Sequence, residues 1–271
     1  MSASVPSAPS SNESMTSATA VREESPADAG VPRYHVPGWE SRFGVVAGIT
    51  GRQGRGGTEF DLSLLSDRPA AEIIERWRTL RDALPQISGV VQGHQVHGIE
   101  VRWHDHVEGW LRLDGVDGHA TSTTGLLLTV TVADCIPVYL VDPTRRACAL
   151  LHAGWRGAAS GILTRGMELL AARAASDPAD VVMHCGIGIC GACFEVGYEV
   201  LEAFGLRGDF PQPWAVDVRD RLTVEARRLG IGEISVSQWC TVHDHERFFS
   251  HRASDGAPGR MVAYLGLLDA P

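Results

Sequence analysis

The sequence lacks two features that would place it in common protein classes: an excess of positive charge and a long apolar run. Its 271 residues carry 24 Lys and Arg against 33 Asp and Glu, which gives a formal net charge of -9. Without a basic surface, the chain is not expected to bind the phosphate backbone of a nucleic acid. Because no apolar run approaches the roughly 20 residues that a bilayer requires, no membrane-spanning helix is expected.

Two motifs of common enzyme classes are also missing. The glycine-rich segment at residues 51–57 has no Lys-Ser or Lys-Thr after it, so it is not a nucleoside-triphosphate loop. A Gly-x-Ser-x-Gly nucleophile elbow does not occur. These absences disfavour a nucleotide-triphosphatase and a serine hydrolase of the α/β-hydrolase type.

The six cysteines are interpreted as reduced thiols of a cytoplasmic protein. Apolar residues make up 44% of the chain, so a core can form without disulfides, and no secretory signal pattern precedes it. Cys185, Cys190 and Cys193 resemble part of a metal knuckle, but no fourth cysteine stands at a matching spacing. We therefore expect these three to be buried, inert thiols.

The first 33 residues differ in composition from the rest. Residues 1–30 are rich in Ser, Ala and Pro and nearly free of large apolar side chains. Such a segment cannot bury enough apolar surface to offset the entropy of ordering it. The sequence therefore predicts a disordered tail over residues 1–33 and one domain over residues 34–271.

Hydrophobic periodicity predicts a mixture of strands and helices in that domain. They alternate without a regular β-α-β rhythm, which favours an α+β fold over a doubly wound one. The predicted strands are 43–49, 89–91, 125–132, 136–141, 147–151, 180–184, 234–237 and 260–267, and the predicted helices are 70–84, 158–175, 198–204 and 218–229.

Three apolar runs each end in a side chain that can bind a metal: His97, Cys135 and His152. At the end of a strand, a side chain can point into a cleft rather than into the core. Two imidazoles and a thiolate suit Zn²⁺, and three protein ligands leave a fourth position open for water or substrate. Alternatively, Cys135 is a thiol nucleophile with His97 or His152 as its base.

Neighbouring polar residues have two interpretations each. Asp134 either supports the centre as a partner of a ligand or a general base, or it caps the end of the strand. Arg156 either holds a phosphate or carboxylate at the start of the next helix or pairs with one of the many acids. The histidine pairs His104/His106 and His243/His245 lie in polar segments and are expected to be solvated.

Eight segments in order along the chain, from about residue 43 to its end, resemble one family. That family is the laccase-domain (YfiH-like) polyphenol oxidase or purine nucleoside phosphorylase family, also called peptidoglycan editing factor. The segments are Gln95-Val96-His97-Gly98, Ala133-Asp134-Cys135-Ile136-Pro137-Val138, His152-Ala153-Gly154-Trp155-Arg156-Gly157, Cys193-Phe194-Glu195-Val196-Gly197, Asp217-Val218-Arg219, Cys240-Thr241, Phe248-Phe249-Ser250-His251-Arg252 and Gly259-Arg260-Met261.

The resemblance implies an α+β domain of two mixed β-sheets flanked by helices in four layers. It implies Zn²⁺ on His97, Cys135 and His152, and phosphorolysis of purine nucleosides (adenosine, inosine and 5′-methylthioadenosine), with adenosine deamination as a further activity. Nucleoside and phosphate would be the partners, and the chain would be a monomer or homodimer. The catalytic residues implied are the three ligands with Asp134 and Arg156, and the substrate-binding residues are Arg52, Gln95, Arg156 and Arg260.

The amino-terminal half departs from the family pattern. Residues 60–64 lack the asparagine of the family's Asn-Leu-Gly, and Glu75-Arg76 stands where Asn-Arg is usual. Two alternatives therefore stay open: a hydrolase that edits a peptidoglycan precursor, and a non-enzymatic zinc-binding protein. Copper-dependent phenol oxidation is disfavoured, because several copper centres need more paired histidines than these three ligands supply.

Overall fold

Two mixed β-sheets form the centre of the fold. The computed structural model describes residues 18–26, 30–54, 57–84, 86–208, 212–254, 256 and 259–269. The strands are β1 (Thr19–Val21), β2 (Arg33–His35), β3 (Val45–Thr50), β4 (Gly89–His94), β5 (Val101–His104), β6 (Gly109–Asp114), β7 (Gly118–Thr121), β8 (Leu126–Val132), β9 (Ile136–Asp142), β10 (Ala147–Ala153), β11 (Val182–Cys185), β12 (Glu195–Val196), β13 (Trp214–Ala215), β14 (Glu233–Ser237) and β15 (Met261–Leu267).

Six α-helices occur among the described residues. They are α1 (Trp39–Phe43), α2 (Ala70–Asp82), α3 (Trp155–Ala159), α4 (Ile162–Ala174), α5 (Tyr198–Ala203) and α6 (Val218–Arg228), with a 3-10 turn at Pro178–Asp180. Within the described ranges, no helix is both long enough and apolar enough to cross a membrane.

Each large sheet mixes parallel and antiparallel neighbours. Among the described residues, sheet A has the order β1-β14-β11-β9-β10-β7-β5, and sheet B has the order β2-β3-β15-β8-β4-β6. In sheet A, β9 is antiparallel to β10, whereas β11 is parallel to β14. In sheet B, β15 is antiparallel to β8, whereas β4 is parallel to β8. The predicted α+β fold with two mixed sheets in a single domain is confirmed.

Side-chain alternation along the strands builds four layers, helix–sheet–sheet–helix. Leu128 of β8 and Leu150 of β10 belong to the cluster between the sheets. On the outer face of sheet A, Leu151 packs in one cluster with Leu163 of α4 and Leu222 of α6. On the outer face of sheet B, the cluster includes the following residues of α2, β8 and β15: Trp77, Leu80, Leu127 and Tyr264.

Strand β10 is buried along its whole length, which explains its continuous apolar sequence. Ala149 and Leu151 face the helices, whereas Cys148 and Leu150 face sheet B. His152 continues the second series, so its ring points to the side between the two sheets, at the end of the strand. The imidazole therefore lies at the rim of the core rather than within it.

The prediction of a disordered tail over residues 1–33 is wrong for part of its range. β1 pairs in parallel with β14, and β2 begins at Arg33. Glu23 is buried, with Oε1 3.0 Å from His184 Nε2 and Oε2 accepting a hydrogen bond from Ser237 at 2.8 Å. A composition argument misses this because the segment joins the sheet through backbone pairing and one buried carboxylate. Residues 1–17 and 27–29 lie outside the described residues.

Two local predictions also need correction. The helix predicted over residues 158–175 is two helices, because Gly161 adopts φ 90° between α3 and α4. His104 is not solvated: it ends β5, is buried, and its Nε2 lies 3.1 Å from His119 Nδ1.

Candidate metal centre

The structure brings His97, Cys135 and His152 together. One potential ligand atom from each lies within 4.8 Å of the other two, and the two imidazole centroids are 4.9 Å apart. His97 lies in the turn after β4, Cys135 immediately before β9, and His152 near the end of β10. Because β9 pairs with β10 in a register that sets Ile136 opposite Ala153, Cys135 emerges beside His152.

A fourth residue, Asp117, holds this cluster in place. It is completely buried, and its Oδ1 lies 2.9 Å from His152 Nδ1. The same carboxylate accepts backbone N–H bonds from Val96, His97 and Gly98 at 2.8 to 3.1 Å. Asp117 thus orients the ring of one ligand and the backbone of another, leaving His152 Nε2 for a metal. A carboxylate behind a metal-binding histidine is a common support of such centres.

Asp117 is a functional residue that the sequence analysis missed. It stands between Val116 and Gly118, immediately before β7, in a segment without an apolar run of its own. Its contact with His152 depends on the pairing of β7 with β10, in which Gly118 is opposite Leu151. The only sequence signal is an acid just ahead of Gly118-His119-Ala120, which is too general to single it out.

The charges in the cluster favour an ionised thiol. Burial by itself would raise the pKa of Cys135, but the adjacent His152 and His97 lower it from 9.0 to about 6. Burial would lower the pKa of His152, but Cys135 and Asp117 raise it from 6.5 to about 9. The pKa of Asp117 is lowered, because hydrogen bonds from His152 and the backbone outweigh its burial. Without a metal, Cys135 is therefore a thiolate and His152 an imidazolium at neutral pH.

The three side chains fit a metal ion. Two imidazoles and one thiolate are suitable zinc ligands, and three protein ligands leave one coordination position open. A Cβ added at Gly154 would lie 2.8 Å from His97 Cδ2 and 3.1 Å from Cys135 Sγ. Glycine at this position therefore leaves the space that the ligands need to converge. These residues could hold a metal.

The cluster lies in the wall of a pocket of about 990 Å³. Four further residues of the sequence prediction line the same pocket: Gln95, Asp134, Arg156 and Arg260. Arg52 instead lines a smaller cavity of about 110 Å³. Its guanidinium is hydrogen-bonded to Glu59 at 2.9 Å and to the His245 carbonyl at 2.9 Å. This position does not support a substrate-binding role for Arg52.

Asp134 and Gln95 are engaged by the protein itself. Both oxygens of Asp134 accept hydrogen bonds, one from the Thr241 hydroxyl and one from the backbone N–H of Arg252 at 2.7 Å. The Gln95 side-chain oxygen accepts hydrogen bonds from the N–H and the hydroxyl of Thr131, and its side-chain nitrogen donates to the Thr131 carbonyl. Asp134 therefore ties loops around the centre, and Gln95 ties the His97 turn to β8.

Arg156 has a guanidinium that is available to an anion. It stacks on the ring of Trp155, with the guanidinium carbon 4.2 Å from the ring centroid. Within the part of the chain that the structure describes, no carboxylate pairs with it. Arg260 is held differently: its backbone N–H donates to Asp61 at 2.8 Å and its side chain donates to the Gly259 carbonyl.

The fold and the cluster together define the class: an α+β protein of two mixed sheets with a His-Cys-His centre in a large pocket. Residues 47–268 match the family model described as multi-copper polyphenol oxidoreductase laccase. The chain belongs to this laccase-like family, as its motifs predict.

Relatives in this family have been given a different name from the family model. The chain is 30% identical to "Purine nucleoside phosphorylase YlmD" of Geobacillus stearothermophilus, over 82% of this chain and 90% of that one. It is 31% identical to "Purine nucleoside phosphorylase ORF3" of Streptomyces griseus, over 83% and 90%. The crystal structure of YlmD from G. stearothermophilus has a TM-score of 0.79 at 27% identity, covering 92% of this chain and 100% of that chain.

Proposed function

We propose that the protein is a zinc-dependent purine nucleoside phosphorylase. The observation that carries the proposal is the convergence of His97, Cys135 and His152 in one pocket with the guanidinium of Arg156; Asp117 supports this cluster. Relatives covering most of the chain are named purine nucleoside phosphorylases. We propose adenosine, inosine and 5′-methylthioadenosine as substrates together with phosphate, and the cytoplasm as the location.

The three ligands would hold the metal on one side of the pocket. A zinc ion bound there would supply Lewis-acid polarisation and stabilise developing negative charge. His152 can direct only its Nε2 toward the metal, because its Nδ1 faces Asp117. This fixes the neutral, metal-binding tautomer and supports a stable ligand geometry.

Arg156 would hold the phosphate. In phosphorolysis, a phosphate oxygen forms a bond to the anomeric carbon of the sugar while the bond from that carbon to the purine nitrogen breaks. The attacking anion must therefore be held near the sugar, and a guanidinium can bind two of its oxygens at once. Stacking on Trp155 restricts the side chain in advance, which lowers the entropy cost of that binding.

Asp134 would act as a positioning residue rather than a general base. Both of its oxygens accept hydrogen bonds from Thr241 and Arg252, so neither is directed at a substrate. Its neighbour Cys135 is thereby held in the wall of the pocket. A proton acceptor in this pocket would have to come from another group.

Product analysis tests the proposal directly. Zinc-loaded protein is incubated with each of the three nucleosides, with and without phosphate, and the products are identified by mass spectrometry. We expect free base and sugar phosphate only when phosphate is present, and no turnover by Cys135→Ala. Arg156→Ala should raise the KM for phosphate about 10- to 100-fold, the loss of a hydrogen bond to a charged group. Arg165→Ala, an exposed arginine paired with Glu168, is the matched control.

Two other results would contradict phosphorolysis. Inosine formed from adenosine without phosphate would identify an adenosine deaminase instead. No turnover of any nucleoside by the metal-loaded protein would overturn the proposal, and a peptidoglycan-precursor substrate would then be tested first. The segments around Asp61 and Glu75 depart from the family pattern, and Asp61 lines the pocket. This is the reason to test a peptidoglycan-precursor substrate.

A further inference from the structure

A second cluster of metal-binding side chains lies outside the centre described above. It consists of Cys190, Cys193, Cys240 and His243, and one ligand atom from each lies within 4.8 Å of all the others. Cys190 and Cys193 are in the turn after β11, and Cys240 and His243 are in the turn after β14. Each turn thus contributes two ligands separated by two residues, the spacing that lets neighbouring residues of a tight turn bind one ion.

The distances in this cluster match a tetrahedral zinc ion. Cys190 Sγ lies 3.7 Å from His243 Nδ1, and Cys193 Sγ lies 3.8 Å from the same atom. Around a tetrahedral zinc, with its usual bond lengths, sulfur and nitrogen ligands are separated by about 3.5 Å and two sulfurs by about 3.8 Å. These two distances, with all other ligand atoms within 4.8 Å of one another, allow the four side chains to bind one ion.

Backbone contacts hold the two turns in this arrangement. The Thr241 N–H donates to the Gly188 carbonyl at 3.1 Å, and the Cys190 N–H lies 3.3 Å from Cys240 Sγ, to which it donates. Backbone N–H bonds to sulfur stabilise a thiolate, the form that binds a metal. The contacts link residues that are at least 50 positions apart along the chain, so the cluster depends on the folded sheet rather than on local sequence.

We propose that Cys190, Cys193, Cys240 and His243 bind a second zinc ion, with a structural role. Three thiolates and one imidazole fill all four positions of a tetrahedral ion, which leaves none for a substrate. The site is separate from the His97-Cys135-His152 centre and shares no ligand with it. The expectation that Cys190 and Cys193 are buried is wrong, because both are only partly buried and face His243.

The second zinc ion would hold together the turns after β11 and β14, which lie at one side of the pocket. Phe194, directly after Cys193, lines the pocket, as does Arg252. Arg252 donates through its side chain to the carbonyls of Cys193 and Glu195 and through its backbone to Asp134. Thr241, directly after Cys240, donates to Asp134 as well. The second zinc would therefore stabilise the support of Asp134 and, through the chain, the position of Cys135.

Metal counting on the full chain tests the proposal without depending on catalysis. Protein purified under reducing conditions with zinc is analysed for all metals by plasma mass spectrometry. We expect about two zinc ions per chain in the unaltered protein, about one in Cys135→Ala, about one in Cys193→Ser, and none in the double variant. Because Cys135→Ala removes the pocket centre, the second site is measured even if the proposed phosphorolysis fails.

Cobalt substitution identifies the ligands. In the Cys135→Ala background, Co²⁺ should produce the strong near-ultraviolet thiolate-to-metal band of a three-thiolate, tetrahedral site. His243→Ala should weaken metal retention and change the visible spectrum, and it is exposed, so the fold should tolerate it. His245→Ala is the matched control, an exposed histidine two positions further along the same turn, and should leave the spectrum and the zinc content unchanged.

Several results would overturn the assignment. The first is a zinc content of about one ion per chain in the unaltered protein that falls to none in Cys135→Ala. The second is a metal other than zinc at the second site. The third is a disulfide between two of the three cysteines in protein that contains no second ion. If Cys193→Ser fails to fold, the cobalt spectra of His243→Ala and His245→Ala decide the question. Identical spectra for those two variants would also overturn it.

Discussion

Asp117 Oδ1 lies 2.9 Å from His152 Nδ1 and accepts the backbone N–H of His97 at the same distance. One carboxylate oxygen therefore supports two candidate metal ligands that are far apart in sequence. His97 adopts φ 60°, an uncommon conformation for a histidine, and the hydrogen bonds from its turn to Asp117 stabilise it there. The geometry of the centre thus depends on a residue that binds no metal itself.

Asp117→Asn should weaken zinc binding at this centre about 10- to 100-fold. An asparagine of the same shape has one acceptor oxygen where the carboxylate has two, so at least one of the four donors loses its partner. The affinity is measured by competition with a chromophoric chelator. Asp114→Asn is the control, since the Asp114 side chain is 89% exposed and pairs with His94 at the surface. Equal affinities in the two variants would contradict a supporting role for Asp117.

The metal-free protein should show an unusually acidic Cys135 thiol. The thiolate is the form that reacts with iodoacetamide, so alkylation of Cys135 should increase with pH with a midpoint at about pH 6, the pKa set mainly by His152 against the effect of burial. In Asp117→Asn, the His152 imidazolium loses its partner, and the midpoint should move to higher pH. The rate is measured by peptide mass spectrometry, which separates Cys135 from the other five cysteines.

Cys148 provides an internal control for that experiment. It is fully buried, and burial raises its pKa to about 12. Alkylation of Cys148 at any pH in the series would therefore report unfolding rather than ionisation. A Cys135 midpoint near pH 9 in the folded, metal-free protein would contradict the thiolate–imidazolium pair.

Gly154→Ala should abolish metal binding by His97, Cys135 and His152. The added methyl group would lie 2.8 Å from the His97 ring and 3.1 Å from the Cys135 sulfur, both closer than normal contact, so the ligands must separate. We expect a loss of about one zinc ion per chain by elemental analysis, without loss of the fold by circular dichroism. Gly30→Ala, where an added Cβ meets nothing within 4 Å, is the control.

Glu23→Ala should destabilise the protein by about 3 kcal/mol, because it leaves buried His184 and Ser237 without their acceptor. The free energy of unfolding is measured by urea titration. Glu24→Ala is the matched control: Glu24 is exposed, and its contacts with His35 involve only backbone atoms. A change below about 1 kcal/mol in Glu23→Ala would show that the segment contributes little to the fold.

The central strands and the three candidate ligands were accessible from the sequence for a physical reason. Strands β8, β9 and β10 are buried on both faces, so each appears as a continuous apolar run, and the end of such a run is easy to locate. The family motifs fixed the overall architecture as well. The strands that escaped prediction, such as β5 and β7, have four residues each and belong to sheet A only through long-range pairing.

The partners of the ligands were not accessible in the same way. Asp117 meets His152 only because β7 and β10 are neighbours, and Cys190 meets Cys240 only because β11 and β14 are. No fourth cysteine follows Cys193 at a fixed spacing, because the other two residues of that cluster, Cys240 and His243, lie in another turn. Sequence spacing reveals ligands within one segment, whereas these sites combine segments that the sheet brings together.

The short strand β1 affects whether the protein can associate with itself. It covers β14, which would otherwise be the outermost strand of sheet A, and pairs with it from Thr19 to Val21. An uncovered strand presents unpaired backbone groups that can recruit a strand from another chain. Truncation of about the first two dozen residues would therefore expose the edge of β14 and favour self-association. Protein prepared for experiments should keep this segment.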